Sequence, residues 1–116
     1  PRLDFERLAQ LKKNVQVPLV LHGASSTGDE NLQKAVETGI TKVNISTDLK
    51  IAGAEAVKRY FEEEEFYDFL VLTQKGIVGW KEMLKHYMVL FHSNNRIKGL
   101  NNGSKRRNSN EGSNYI

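Results

Sequence analysis

The sequence predicts an α/β fold with its strands paired in parallel, and three observations predict it. Two short apolar runs, residues 17–21 and 40–45, have strand character and no helical periodicity. Each run breaks into small polar residues that open the next helix, Gly23, Ala24 and Ser25 after the first and Ser46 and Thr47 after the second. Strands and helices alternate along the chain, which argues for parallel pairing.

Each element has its own justification. Leu3, Leu8, Leu11 and Val15 recur near helical spacing, with Phe5 and Ala9 beside them and charges between, so residues 3–14 read as an amphipathic helix. Asn14 tolerates left-handed backbone angles and supplies a stop. The run 17–21 is continuous, apolar and cut off by Gly and Ser, the pattern of a strand buried on both faces. Pro18 falls near its start, where a buried strand accepts a proline. Thr27 and Glu30 have capping-box spacing. The helix after them puts Leu32, Ala35 and Val36 on one face, and Gly39 ends it. The second strand, 40–45, comes at once. Thr47 or Asp48 caps the next helix, which extends to about Phe61 with Leu49, Ala52, Ala56, Val57 and Tyr60 inward.

Glu62, Glu63, Glu64 and Glu65 then set four carboxylates against the negative end of that helix, which reads as a solvated turn. From 66 to 91, Phe69, Leu70, Ile77, Trp80, Leu84, Tyr87 and Phe91 describe a further helix. Gly76 and Gly79 weaken its middle by about 1 kcal/mol each relative to alanine. Two strands cannot form a stable parallel sheet covered on both faces, so the pattern implies strands outside this sequence.

The totals narrow the function classes. With 116 residues the chain has the length of one small domain with a modest core. It has no cysteine, which excludes disulfides and thiolate metal sites. No apolar run approaches the roughly 18 residues of a membrane span, and there is no secretory leader, so the expectation is a cytoplasmic protein without a membrane partner. The first residue is proline, which reads as a piece cut from something longer. The net charge of +3 resides in residues 98–116, where Lys98, Lys105, Arg106 and Arg107 face Glu111 alone. Residues 1–97 are balanced and offer no basic face for nucleic acid. The tail, polar and basic, reads as disordered. A nucleic-acid module working through Lys105, Arg106 and Arg107 is a remote alternative, because those charges have no aromatic residues between them.

The strand ends carry the chemistry. His22 stands where the first strand leaves the core. Taken alone it reads as a hydrogen-bonded structural histidine, since one imidazole is not a metal site. Gly23, Ala24 and Ser25 bare backbone N–H groups, which suits an anion, although an ordinary strand-to-helix turn uses the same residue types. Ser46 and Thr47 suit an anion at a helix start or plain N-capping equally well. Lys42, mid-strand, reads as a salt-bridged lysine; a Schiff-base role would demand a different chemistry. His86 and His92 lie in the last helical region and read as surface residues.

Several of these segments together, in order, resemble one family: LDF at 3–5, PLVLHGAS at 18–25, GITKVNIST at 39–47, LKIA at 49–52 and FHSNNRI at 91–97. They resemble the class II, zinc-dependent ketose-bisphosphate aldolases, which include the fructose- and tagatose-bisphosphate enzymes. The resemblance covers residues 1–97. It implies the C-terminal portion of a TIM (β/α)8 barrel, an incomplete one, with 17–21 and 40–45 as strands seven and eight, where phosphate sites of such barrels often lie.

It further implies that His22 is a Zn²⁺ ligand, with two further histidines on earlier strands. Gly23, Ala24 and Ser25 would form a first phosphate loop. Asn44, Ile45, Ser46 and Thr47 would form a second loop for dihydroxyacetone phosphate. The substrate class implied is a sugar bisphosphate or triose phosphate, and the full-length parent a homo-oligomer, dimer or tetramer. No residue here matches the family's proton-transferring carboxylates, so no catalytic acid or base is assigned. The sequence departs from the family after Ser25: where the family continues with Gly and, two residues on, Pro, this chain has Ser26 and Gly28. Ser26 resists positive φ, which reshapes the loop or weakens its grip. The alternative to an active enzyme is an inactive truncated remnant of one.

Overall fold

Six elements succeed one another in the expected order in the computed structural model, which describes residues 2–96. They are α1 (Phe5–Asn14), β1 (Leu19–Leu21), α2 (Asp29–Thr38), β2 (Ile40–Val43), α3 (Thr47–Glu63) and α4 (Phe69–Leu90). The expected disordered tail at 98–116 lies outside the described residues.

β1 and β2 pair in parallel, Leu19 with Ile40, Val20 with Lys42 and Leu21 with Val43. An irregularity between Leu19 and Val20 leaves one extra residue, Thr41, on the β2 side. α2 makes the crossover, as parallel strands require. β1 begins only after Pro18, which has no N–H to give the ladder. The expectation that this strand is buried on both faces fails. Val17 is 62% and Val20 44% exposed, because the described chain has no element to lay over that face.

The helix ends correct three further expectations. Asn14 does not take left-handed angles; α1 leaves directly into extended backbone at Val15, whose N–H bonds the carbonyl of Leu11. Its start is fixed by Asp4, which accepts from the N–H of Arg7 at 2.9 Å. The Thr27–Glu30 capping box does not form. Gly28 is the N-cap of α2 and has no side chain to offer, while the Thr27 hydroxyl turns back to the Gly23 carbonyl at 3.3 Å. Neither Thr47 nor Asp48 caps α3: its N-cap is Ser46, without a side-chain cap bond. Gly39 does end α2, at φ 131°, with its N–H on the carbonyls of Ala35 and Val36.

α3 and α4 form an antiparallel hairpin across residues 64–68. Tyr60 organises the turn by accepting from the Asp68 N–H at 3.0 Å, and Asp68 caps α4 by accepting from Leu70 and Val71. The helix is continuous through Gly76 and Gly79. At Gly79 a Cβ would strike the Ala52 carbonyl and, at 2.8 Å, the Ala56 Cβ. That glycine is there for close helix approach, not as a break.

The core gathers where α4 returns to the sheet. Ala24, Leu32 and Tyr87 are its buried members, with Leu21, Val43, Ile45, Met83, Leu90 and Phe91 packed around them. Of the aromatic series, Tyr87 and Phe91 stack at 5.5 Å, whereas Phe69 (77%) and Trp80 (47%) stay exposed.

Candidate functional site

The sheet delivers His22 and Asn44 to the same end. Each is the first residue past its strand, and the strands are parallel. The Asn44 N–H continues the ladder to the Leu21 carbonyl at 3.0 Å. Its side-chain amide lies 3.0 Å from His22 Nδ1. Donating from Nδ2, Asn44 selects the imidazole tautomer with its proton on Nε2; with the amide reversed, Oδ1 would accept from Nδ1–H.

Beyond these two residues lies a shallow cleft of about 240 Å³ lined by Gly23, Ala24, Ser25, Asn44, Ile45, Ser46 and Thr47. The two loops picked out in the sequence thus share one concavity, and none of its seven lining residues is charged. Larger concavities lie elsewhere. One of about 710 Å³ between α3 and α4 is apolar, lined by residues such as Val57, Leu72, Ile77 and Trp80. Another, of about 610 Å³, lies beside the start of α1 among Arg2, Asp4, Glu6 and Lys34. Neither includes a strand end.

The first loop is shaped by its backbone. Gly23 (φ 69°), Ser26 (φ 68°) and Gly28 (φ 85°) all take positive φ. At Gly23 a Cβ would meet nothing within 4 Å, so the conformation alone asks for glycine there. Ser26 adopts the left-handed conformation that its side chain disfavours. Gly28, at ψ 145°, sits in a region essentially reserved for glycine, which proline cannot enter. Thr27 closes the loop. It is buried, its hydroxyl donates to Gly23, its N–H bonds the Ala24 carbonyl at 3.1 Å, and its carbonyl accepts from Asn31. Sequence reasoning missed Thr27 as a loop residue because it matched a capping pattern.

The second loop runs straight into α3, and Thr47 is both the helix's first residue and part of the cleft wall. The positive end of that helix therefore stands at the cleft.

A zinc ion is not accommodated by these residues alone. Among the described residues no three His, Cys, Asp or Glu side chains come together, and His22 offers a single ligand. His86 and His92 do not substitute: both are exposed, facing Asp29 at 2.9 Å and Glu37 at 4.0 Å. Lys42 is exposed on the strand opposite Val20; the expected salt bridge is not made with any described residue, because no carboxylate of the helices reaches that face.

Residues 1–96 match the family profile described as fructose-bisphosphate aldolase class-II. The chain belongs to that family. The structure is also similar to the crystal structure of the YdjI aldolase from Escherichia coli K12, with a TM-score of 0.74 and 37% sequence identity. That similarity covers 82% of this chain and 36% of the YdjI chain, so the chain spans about a third of that protein's length. The four helices and two parallel strands of the described residues correspond to a fragment of an aldolase. Among the described residues no helix is long and apolar enough to cross a membrane.

Proposed function

We propose that this chain is the phosphate-gripping portion of a class II ketose-bisphosphate aldolase, strands seven and eight of its TIM barrel. The reaction is reversible cleavage of fructose 1,6-bisphosphate or tagatose 1,6-bisphosphate to dihydroxyacetone phosphate and glyceraldehyde 3-phosphate. One observation carries the reading: two parallel strand ends bring Gly23, Ala24, Ser25, Asn44, Ile45, Ser46 and Thr47 around one uncharged cleft, with His22 hydrogen-bonded at its edge.

The division of labour comes from the residue types. Backbone N–H groups of the first loop and the start of α3, with the Ser25, Ser46 and Thr47 hydroxyls, hold the phosphate of dihydroxyacetone phosphate. Holding it there fixes the distance of the triose carbons from His22, a positioning contribution. With its amide turned so that Oδ1 accepts from His22 Nδ1–H, Asn44 fixes the ring's orientation and leaves Nε2 as the bare nitrogen. A zinc ion bound by His22 and by ligands from outside this chain would polarise the substrate ketone. The parent enzyme is a cytoplasmic homo-oligomer in this reading.

The test is a titration of dihydroxyacetone phosphate into the ¹⁵N-labelled chain. Saturable shifts centred on the amides of Ala24, Ser25, Ser46 and Thr47 are expected; an unchanged spectrum, or shifts confined to α4, sinks the proposal. The same chain supplied with zinc should not cleave fructose 1,6-bisphosphate, since one ligand falls short of the three or four zinc uses. The second reading, an inactive remnant, is favoured by the exposed apolar side chains of α4, Phe69, Leu70, Ile77 and Trp80 among them. An open reading frame upstream encoding two more strand-end histidines would decide against it.

A further inference from the structure

Two carboxylates stand at the starts of the helices that leave the cleft. Asp29 is the first residue of α2 and Asp48 the second of α3. A carboxylate is favoured there by the positive helix end, yet it would repel an anion bound at that same end. Neither residue lines the cleft. Both are held from one element, α4. The Tyr87 hydroxyl donates to Asp48 Oδ2, and His86 Nε2 lies 2.9 Å from Asp29 Oδ2.

The neighbouring rings of His86 and Tyr87 meet edge-on at 5.3 Å. Tyr87 is only 6% exposed, stacked on Phe91, and shares the core cluster that contains Ala24 of the first loop. Burial and then the bond to Asp48 push its phenol well above the ordinary value, so it remains a donor throughout the neutral range.

We propose that Tyr87, assisted by His86, is a positioning residue that ties the helix-start carboxylates to α4, so that a phosphomonoester in the cleft meets only backbone N–H groups and hydroxyls. This rests on the reading of the cleft as a phosphate site. A purely structural role would make the Tyr87 hydroxyl matter through stability alone. The tether makes it matter through the charge on Asp48 as well, and that distinction can be measured.

Dihydroxyacetone phosphate is titrated into the ¹⁵N-labelled wild-type chain, Tyr87→Phe, Asp48→Asn and the double variant, tracking the Ala24 and Thr47 amides. Tyr87→Phe keeps the stacked ring and is expected to weaken binding about tenfold, the scale of one misplaced unit charge in a partly exposed site. Asp48→Asn alone keeps a partner for the hydroxyl and should bind at least as tightly as wild type. Adding Asp48→Asn to Tyr87→Phe should restore affinity, because an amide does not repel the anion. A double variant as weak as Tyr87→Phe, or a tenfold loss in Asp48→Asn, overturns the proposal.

Amide hydrogen exchange without ligand separates the two levels. Faster exchange at 47–50 in Tyr87→Phe, with α1 unchanged, shows the tether. If that is seen while wild type binds no triose phosphate, the phosphate reading has failed and not the tether. Unchanged exchange at 47–50 overturns the tether whatever the titration gives.

Discussion

The two segments that wall the cleft are built by different means. Between β1 and α2 the chain uses seven residues, 22–28, and turns through three positive-φ positions. Between β2 and α3 it uses three, 44–46, and none of them has positive φ. The first loop's shape is therefore stored in backbone angles and in the Thr27 hydroxyl that closes it. The second loop's shape is stored in the docking of its own Ile45 and of α3: Ile45 against the core, Leu49 buried, Asp48 bound by Tyr87. Substitutions that alter φ should damage the first and spare the second, and substitutions that undock α3 should do the reverse.

The largest effect is expected from Gly28→Pro. A proline ring fixes φ near −65°, far from the 85° at this position, so the observed loop cannot survive. Denaturant unfolding should show a loss of about 3 kcal/mol or more, with amide shifts concentrated at 23–28. A Gly28→Pro chain with wild-type stability and unshifted loop amides would remove the claim that backbone angles define this loop.

Tyr87→Phe is the counterpart for the second loop. Losing a hydrogen bond to a charged acceptor should cost about 1.5–3 kcal/mol. The phenol's pKa is raised on folding, so the stability it confers is complete below its ordinary value of 10.0 and is lost as pH rises through the shifted one. The gap between wild type and Tyr87→Phe should accordingly be constant through neutral pH and shrink above pH 10.0. No gap at neutral pH would show that the ring alone, and not the hydroxyl, anchors α3.

These two cases also show what could be read in advance. Element order, parallel pairing and the meeting of the two loops came from local patterns: apolar runs, helical spacing, small residues at strand ends. Gly39 was legible as the stop of α2, and Ser46 was one of the candidates at the start of α3. The N-caps could not be resolved further, because Thr27, Ser46, Thr47 and Asp48 all have side chains that could cap, and spacing cannot say which one the fold employs elsewhere. Thr27 is taken up in closing its own loop and Asp48 in binding Tyr87. That last contact spans 39 residues and leaves no local trace, so Tyr87 read only as one apolar position of the last helix. Gly79 read as a weak point in α4, because close approach to α3 is a property of two helices and is written in neither one.

Gly23→Ala isolates the angle from the contact. Nothing lies within 4 Å of the added methyl, so the cost should be the left-handed penalty alone, about 1–2 kcal/mol. Ser26→Gly is the reverse experiment. It relieves that penalty and gives back part of the gain in unfolded-state entropy, for a net stabilisation of roughly 0.5–1 kcal/mol. Thermal unfolding of both variants measures the sign. Two losses would mean that the Ser26 side chain contributes something the angle argument omits.

The smallest stability effect belongs to Ser46→Ala, and it bears most directly on the second loop. Ser46 occupies the N-cap of α3 but makes no side-chain cap bond. If its hydroxyl serves a bound phosphate, removal should leave stability within about 0.5 kcal/mol while weakening dihydroxyacetone phosphate severalfold, since hydrogen bonds to an ionised acceptor are the strong ones. If it serves the helix, stability should fall by about 1 kcal/mol with affinity tracking only the folded fraction. The two outcomes move different observables, so one urea titration and one ligand titration on the same variant separate a cap from a ligand-binding group.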